Sequence, residues 1–435
     1  MRYKPIKQDF FISNRQKLLK KLKPNSLAII LSNDEYHRNG DQFHPYRQNS
    51  DLFYLTGLDQ EKCILCLCPG HPVEAMREIV FTLQTNETMV TWYGHKYNLE
   101  QAREVSGVKT VKWLDSFEDT LKDLVLRSEN IYINVYENAR FSTEVISNEL
   151  RFAKRMKKEY PLHNFERLNP LITKLRLCKE PEEVKMMQHA CNITEKAFRR
   201  ILERIRPGMM EYEVEAEIVH EFIRNGADGH SFYPIVASGV NACVLHYIKN
   251  DEKIKDGDLV LIDYGAEYGN YAADVTRTIP VNGKFSKRQK DCYNAVLRVH
   301  KKAAQLIVPG TTIEKINKAV TQLFEAEMIK LGLFSAKDVK NQDPANPLYF
   351  KYYMHGNSHF IGLDVHDVGT RQVILKPGMV LSCEPGLYIK EESIGIRIEN
   401  DIMVGSKGPI DLTKNIPIEA DEIETLMKKN KTLKK

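Results

Sequence analysis

The chain has 435 residues, of which 42% are apolar and 28% charged, an ordinary composition for a globular protein with core material for two domains. Its net charge of +5 is too small to argue for a nucleic-acid partner. No run of apolar residues is long enough to cross a membrane, and the first residues lack a signal peptide's apolar core, so we expect a cytoplasmic protein.

The first 170 residues combine strand and helix patterns. Short apolar runs predict strands at residues 26–32, 63–68, 78–83 and 130–135. Between the last two strands we predict a helix that ends at Gly107. Cys63, Cys66 and Cys68 lie in the second run, and because no matching pair follows, they indicate a buried strand rather than a zinc site. The alternation favours an α/β domain over residues 1–170.

The pattern changes at Glu180, where apolar residues recur at spacings of three and four, as in an amphipathic helix. This helix runs to a Pro-Gly stop at Gly208, and a second helix follows. The same unit of helix, Pro-Gly stop and helix returns with its stop at Gly310, 102 residues later. We therefore place a second domain at residues 171–435.

Strands that follow the two helix pairs are also alike. Residues 255–263 and 376–384 both begin with Lys-x-Gly, continue as apolar strands and end on a carboxylate eight residues after the lysine. This internal duplication predicts an α+β domain of two similar halves related by a pseudo-twofold axis. Such packing would bring Asp263 and Glu384 together at the interface between the halves.

The strand that ends at Asp263 is followed by a hairpin pattern. If Tyr268 and Gly269 form a two-residue turn, Asp263 and Asp274 oppose each other on one face, with Cβ atoms roughly 5 Å apart. Two carboxylates that face each other in an apolar sheet repel, so one must be protonated or a cation must lie between them.

Downstream residues extend this acidic set. His355, His359 and His366 occur within twelve residues with glycines between them, which is rare in a purely structural segment. Arg397 and Glu399 alternate with Asp401 on one face of a predicted strand.

Four carboxylates, from Asp263, Asp274, Glu384 and Glu399, and one histidine form an oxygen-rich ligand set. That set suits two divalent ions, with Mn²⁺ favoured over Zn²⁺, Co²⁺ and Fe²⁺. A water shared by two such ions becomes a hydroxide nucleophile near neutral pH, so the sequence predicts a two-metal hydrolase.

Five segments carry a family resemblance: YRQNSDLFYLTGL, DYGAEYGNYAADVTRT, MHGNSHFIGLDVHDVG, KPGMVLSCEPGLYI and SIGIRIENDI. With them, the chain resembles aminopeptidase P, the Xaa-Pro aminopeptidase of the pita-bread metallopeptidases, whose other members include prolidase and methionine aminopeptidase. The resemblance covers most of the chain. It implies an α/β N-terminal domain of the aminopeptidase P type joined to a pita-bread catalytic domain.

The resemblance also implies metal-binding roles. Asp263 would chelate one metal ion, and Asp274 and Glu399 would bridge both ions. His359 and Glu384 would complete the shell of the second ion. Glu384 would also act as general base and then general acid toward the attacking hydroxide.

Substrate-binding roles follow from the same resemblance. His246 would contact the substrate near the scissile bond, and His355 would bind substrate or relay protons. His366 would steady the tetrahedral oxyanion, and Arg397 would position the groups around it.

The implied activity is release of the N-terminal residue from peptides with proline in second position, by attack of a metal-bridging hydroxide. The alternative is prolidase, which cleaves only Xaa-Pro dipeptides and carries a longer segment after its HDV motif. Here the segment HDVGTRQVILKPG is short, with Arg371 as its obvious cation, and this favours longer peptides. A metal-free binding module and a methionine aminopeptidase are disfavoured by the complete ligand set and by the N-terminal domain.

The N-terminal domain leaves its own questions open. The family resemblance implies a homodimer or homotetramer assembled through such domains. Asp51, Tyr54 and Trp92 could reach an active site, either their own or that of a partner subunit. For Tyr54 and Trp92 we favour local packing and surface exposure instead.

Overall fold

The structure is a computed structural model that describes residues 2–138 and 144–432. The chain divides into two compact units, one of residues Pro5–Arg176 and one that joins the chain from Leu177 onward with the residues before Pro5. The predicted domain boundary at residue 170 falls inside the last helix of the first unit. Among the described residues, none of the helices is both long and apolar enough to cross a membrane.

The first unit is a mixed α/β domain, and the strands predicted from apolar runs are confirmed. Its elements are α1 (Gln8–Leu19), β1 (Ser26–Leu31), β2 (His37–Asn39), β3 (Gln42–Phe43), α2 (Ser50–Thr56), β4 (Ile64–Leu67), β5 (Glu78–Thr82), α3 (Glu87–Tyr93), α4 (Leu99–Ser106), β6 (Thr110–Trp113), α5 (Phe117–Leu126), β7 (Asn130–Ile133), α6 (Asn148–Glu159), β8 (Asn164–Arg167) and α7 (Asn169–Arg176). Six strands form one sheet in the order β6-β5-β4-β1-β7-β8, in which β4 runs antiparallel to both of its neighbours.

Side chains from the sheet and from α5 and α6 form the core of this unit. Phe81 on β5 packs edge to face against Phe117 on α5, which in turn contacts Phe152 on α6. Cys66 and Cys68 belong to the same buried cluster, which confirms the strand interpretation of the cysteine run. The helix predicted before Gly107 is α4, and Gly107 ends it in the left-handed conformation at φ 68°.

Three residues that raised questions in the sequence take different positions in this unit. Asp51 is buried and accepts hydrogen bonds from Arg176 at 2.7 Å and Asn134 at 2.8 Å. Tyr54 is 1% exposed, so its side chain packs inside the unit, as expected. Trp92 is 78% exposed and lies on the surface of α3.

Gly57 ends α2 in the left-handed conformation and leaves no room for a side chain. A Cβ atom there would lie 2.4 Å from the ring of Phe11 on α1. We expect Gly57→Ala to lower the free energy of unfolding by about 3 kcal/mol, from left-handed strain and from overpacking. Gly40→Ala is the control, because Gly40 has a similar φ of 56° and open space around it. It should lose about 1 kcal/mol. Urea unfolding measures both, and equal losses would contradict the clash with Phe11.

The second unit contains the two predicted helix pairs and the duplicated strands. Its elements are α8 (Pro181–Arg204), α9 (Glu211–Arg224), β9 (Gly229–His230), β10 (Ile235–Ser238), β11 (Leu259–Tyr264), β12 (Ala266–Tyr268), β13 (Tyr271–Ala272), β14 (Val275–Pro280), α10 (Lys287–Gln305), α11 (Ile313–Lys330), α12 (Ala336–Lys340), β15 (Val380–Cys383), β16 (Gly386–Ile389), β17 (Ile394–Arg397), β18 (Asn400–Gly405), β19 (Gly408–Asp411) and α13 (Ala420–Thr432).

The two halves of this unit have corresponding strand pairings. In the first half, β11 lies between β10 and β14. In the second half, β15 pairs with β18 on one side and on the other makes a single bridge from Leu381 to Phe360. The residue that ends each duplicated sequence, Asp263 and Glu384, therefore lies at the same end of an equivalent strand.

The hairpin after β11 differs from the predicted register by two residues. Tyr268 pairs with Tyr271, so Gly269 and Asn270 form the turn, and Asp263 lies opposite Thr276 rather than Asp274. Both turn residues have positive φ, 57° and 66°, as a two-residue hairpin turn of this hand requires. Glycine and asparagine tolerate this conformation, whereas the predicted turn would have forced Tyr268 into it.

The residues before Pro5 pack against this hairpin and the loop after α9. Arg2 donates to the carbonyl of Ala227 at 3.3 Å, and the amide of Lys4 donates to the hydroxyl of Tyr268 at 3.2 Å. The ring of Tyr3 is buried edge to face against Tyr268. The start of the described chain is therefore part of the unit that carries the acidic residues.

Candidate metal centre

Three predicted ligands converge at one point of the second unit. One ligand atom from each of Asp274, His359 and Glu399 lies within 4.8 Å of the other two. Nε2 of His359 is 3.3 Å from Asp274 Oδ2 and 3.6 Å from Glu384 Oε1, so Glu384 borders the same point. Asp274 and Glu399 are buried, and His359 is partly buried.

Strand ends and backbone bonds fix these side chains. Ser382 on β15 donates its amide to the carbonyl of His359 at 2.9 Å and accepts the amide of His359 on its hydroxyl at 3.0 Å. Glu384 follows the end of β15. The amide of Glu399 donates to the carbonyl of Thr276 at 3.1 Å, and the hydroxyl of Thr276 donates to Glu399 Oε2 at 2.6 Å.

Asp263 faces the same region but is held by Arg397. Nη2 of Arg397 donates to Asp263 Oδ2 at 2.6 Å, and Nη1 donates to the hydroxyl of Tyr388 at 2.9 Å. The other carboxylate oxygen, Asp263 Oδ1, is buried without a hydrogen-bond partner among the described residues. A buried carboxylate oxygen without a donor is costly unless a cation neutralises it.

The electrostatics of the carboxylates favour the same conclusion. Burial raises the pKa of Asp274 above its ordinary value, and the negative charge of Glu399 raises it further. Burial likewise raises the pKa of Glu399, and the charge of Glu384 adds to the shift. Burial raises the pKa of Glu384 too, although His355 and Arg397 counteract it. Mutually repelling, oxygen-rich side chains with one imidazole fit hard or borderline divalent ions.

The other three predicted histidines differ in their burial and in their contacts. Nε2 of His355 lies 2.8 Å from the Tyr388 hydroxyl, and its Nδ1 lies 3.9 Å from Glu384. Burial lowers the pKa of His355, although the negative charge of Glu384 opposes this shift. The ring of His366 stands edge to face against His359 at 4.4 Å. His246 is exposed, and its link to this group of residues is its electrostatic influence on His355.

One sequence prediction about these residues was wrong. Arg397, Glu399 and Asp401 do not alternate along one strand, because β17 ends at Arg397 and β18 begins at Asn400. Glu399 lies between these two strands, and its amide donates to the carbonyl of Thr276 on β14. This break between the strands allows Glu399 to point into the centre between two different sheets.

Sequence reasoning missed several groups that hold the ligands. Tyr388 joins His355 to Arg397, and Asp401 Oδ2 accepts the amide of Asp274 at 3.1 Å and the thiol of Cys191 at 3.4 Å. Burial raises the pKa of Asp401 to about 8. Apart from the position of Asp401 in the predicted strand, no local pattern marks these residues, since their partners are distant in sequence.

Comparison with known families and proteins identifies the family to which the chain is similar. The family model described as "Metallopeptidase family M24" matches residues 185–406, and that described as "Aminopeptidase P, N-terminal domain" matches residues 11–132. Xaa-Pro aminopeptidase of Escherichia coli is 38% identical over 97% of this chain and 98% of its own length. Human Xaa-Pro aminopeptidase 3 is 31% identical over 92% of this chain and 80% of its own.

Solved structures agree. A Bacillus anthracis structure described as an aminopeptidase P is 37% identical and superposes with a TM-score of 0.91 over 98% of this chain and 99% of that one. The zinc-substituted E. coli aminopeptidase P in complex with product is 36% identical, with a TM-score of 0.87 over 98% of this chain and 99% of its own. Together with the ligand geometry, these likenesses show that the chain belongs to metallopeptidase family M24 and, within this pita-bread superfamily, to the aminopeptidase P group.

Proposed function

We propose that the chain is a metal-dependent Xaa-Pro aminopeptidase, which hydrolyses the bond between an N-terminal residue and a following proline. The observation that carries this proposal is the convergence of Asp274, His359 and Glu399 within 4.8 Å, with Glu384 beside them. Family membership over nearly the full chain supports the same activity.

We infer that two divalent ions are held by five side chains: Asp263, Asp274, His359, Glu384 and Glu399. The four carboxylates would supply oxygen ligands, and His359 would supply a ring nitrogen. When bound, such ions polarise a peptide carbonyl and acidify a water molecule near neutral pH. The oxygen-rich donor set supports Mn²⁺ over Zn²⁺, Co²⁺ or Fe²⁺.

The protein's own groups would then handle the proton and the developing charge. Glu384 takes the proton of the attacking water and passes it to the leaving proline nitrogen. His366, beside His359, steadies the negative charge that forms on the carbonyl oxygen. His246 and His355 contact the substrate around the scissile bond, and Arg397 holds Asp263 in place.

Substrate length separates this activity from that of a prolidase. We expect an Xaa-Pro-Xaa tripeptide to be cleaved with a kcat/KM at least about tenfold above that of the Xaa-Pro dipeptide, or about 1.4 kcal/mol in transition-state binding. The physical reason is the short segment after His366, which offers little to capture a free carboxylate. Peptides with alanine in second position are the control and should be poor substrates.

The comparison is made with Mn²⁺-loaded protein by following release of the first residue. Faster cleavage of the dipeptide would identify a prolidase. Equal cleavage of proline and alanine peptides would remove the requirement for proline, which a pocket shaped for its ring is expected to impose.

We further propose a cytoplasmic homodimer or homotetramer. All eight cysteines are free, which fits a reducing compartment. Membership of the aminopeptidase P group, with its N-terminal domain, supports self-association. Light scattering coupled to size exclusion should give a mass of two or four chains, and a monomer at micromolar concentration would contradict the proposal.

A further inference from the structure

A buried group of four polar side chains lies where the chain enters α8. This Lys179 cluster consists of Lys179, Glu183, Tyr271 and Asp367. Nζ of Lys179 lies 2.7 Å from Asp367 Oδ2, and both side chains are 1% exposed. The hydroxyl of Tyr271 donates to Glu183 Oε1 at 3.1 Å. Burial raises the pKa of Glu183 to about 7, and Lys179 acts against this shift. Lys179 therefore faces two buried carboxyl groups.

The Lys179 cluster connects the segments that carry the candidate active-site residues. Asp367 directly follows His366, and its amide donates to the carbonyl of Phe360, the residue after His359, at 2.9 Å. Within the same loop, the carbonyl of Gly362 accepts the amide of Ala272 at 2.9 Å. Ala272 follows Tyr271 and precedes Asp274 by two residues. The cluster thus joins the histidine loop to the hairpin that supplies a metal ligand.

The ion pair packs closely against Gly362 of the histidine loop. A Cβ atom added to Gly362 would lie 2.2 Å from Asp367 Oδ2 and 2.8 Å from Lys179 Nζ. The pair therefore crosses directly over the backbone of the histidine loop. A buried ion pair is weak evidence for stability, because apolar side chains of the same size often replace it without loss. Its location beside His366 suggests a role in the geometry of the site.

We propose that Lys179 is a positioning residue for the reaction: through Asp367 it sets the place of His366 against His359 and the acidic centre. The proposal rests on the function proposed above. His366 is expected to act on the charge of the transition state, so its displacement should lower kcat more than it raises KM. Groups that orient catalytic side chains typically contribute 10- to 100-fold to activity.

The first test replaces the cation by an apolar chain of similar length. Lys179→Met should lower kcat for an Xaa-Pro-Xaa peptide by about 10- to 100-fold, with KM and the Mn²⁺ dissociation constant each changed less than about threefold. Asp367→Asn should behave in the same way. The double variant should be no more than about threefold slower than Lys179→Met, because the two residues act as one unit.

A second test leaves the charges of Lys179 and Asp367 unchanged. Gly362→Ala should displace the pair and produce the same loss of kcat, and it serves if Lys179→Met fails to fold. Arg15→Met is the matched control, since it removes a buried cation from the first unit. Arg15 is 1% exposed and bonds to Glu78, Leu55 and Ser106. The control should melt at a lower temperature yet keep kcat within about threefold of wild type.

The outcomes separate the two proposals. If the wild-type protein cleaves Xaa-Pro peptides and the folded Gly362→Ala and Asp367→Asn variants have the same kcat, the positioning role of Lys179 is overturned. The proposed function is then unaffected. A loss of Mn²⁺ affinity in proportion to kcat would also overturn the positioning role, because the effect would then run through the metal ligands. Wild-type protein that cleaves no Xaa-Pro peptide would overturn the proposed function and this role with it.

Discussion

Replacement of Glu384 by glutamine should lower kcat by about 1,000-fold or more while the protein stays folded. General acid-base catalysis by one side chain contributes about 10²- to 10⁴-fold, and Glu384 also borders the candidate metal centre. Glutamine has the same shape and can still accept the hydroxyl of Ser382, which lies 3.3 Å away. Its neutrality also removes repulsion from Asp263, so the metal-free fold should not be weakened.

Steady-state cleavage of an Xaa-Pro-Xaa peptide, with a thermal melt of each protein, measures this effect. Glu327→Gln is the control, since Glu327 on α11 is paired with Arg298 and Lys330 and belongs to no candidate site. It should keep kcat close to wild type. A Glu384→Gln enzyme within threefold of wild type would remove Glu384 from proton transfer.

Metal removal should abolish activity and also weaken the fold. Dialysis against excess chelator is expected to reduce turnover more than about 100-fold, because the proposed reaction uses water that is acidified by the bound metal. An ion at 1,000 times its dissociation constant stabilises the folded state by about 4 kcal/mol, so the melting temperature should fall as well. Added Mn²⁺ should restore both the activity and the melting temperature.

A ligand variant distinguishes this centre from adventitious binding elsewhere. Asp274→Asn should show little dependence of its melting temperature on Mn²⁺, since its ligand position between His359 and Glu399 is impaired. Full wild-type activity in protein shown by elemental analysis to contain no metal would contradict the proposed chemistry.

The elements that sequence predicted well are those with local causes. α8 begins with Pro181 in its first turn, where the amide of Glu180 donates to Glu183 Oε2 at 2.9 Å, and it carries an apolar stripe. The strands before Asp263 and Glu384 are short apolar runs with a repeated start. Such features do not depend on distant contacts. The existence and order of these helices and strands could therefore be predicted from the sequence.

The register of the β11 hairpin was wrong, because Asp263 and Asp274 are not directly opposed, but the error does not change which face of the hairpin they are expected to share. The pairing moved by two residues, from Asp274 to Thr276 opposite Asp263. Because side chains alternate with a period of two, an even shift leaves Asp263 and Asp274 on the same face. A shift of one residue would have separated them. The turn lies at Gly269 and Asn270 because these residues tolerate positive φ. The prediction from the sequence did not take this requirement into account.

The groups that sequence could not predict depend on contacts between distant segments. Tyr388 meets Arg397 and His355 only after two strands and a loop are in place. Lys179 and Asp367 are 188 residues apart, and no local sequence pattern predicts that they form an ion pair. A single lysine before a helix is ordinarily a surface residue, so its burial emerges from tertiary packing alone.

The placement of the residues before Pro5 has a consequence for synthesis on the ribosome. Arg2 and Lys4 bond to partners that lie 225 and 264 residues later in the chain. They are therefore translated long before Ala227 and Tyr268 exist, and the whole first unit can fold in the meantime. Residues 2–4 are therefore among the last of the unit to acquire their contacts, and the catalytic unit is completed only after segments more than 200 residues later have been made.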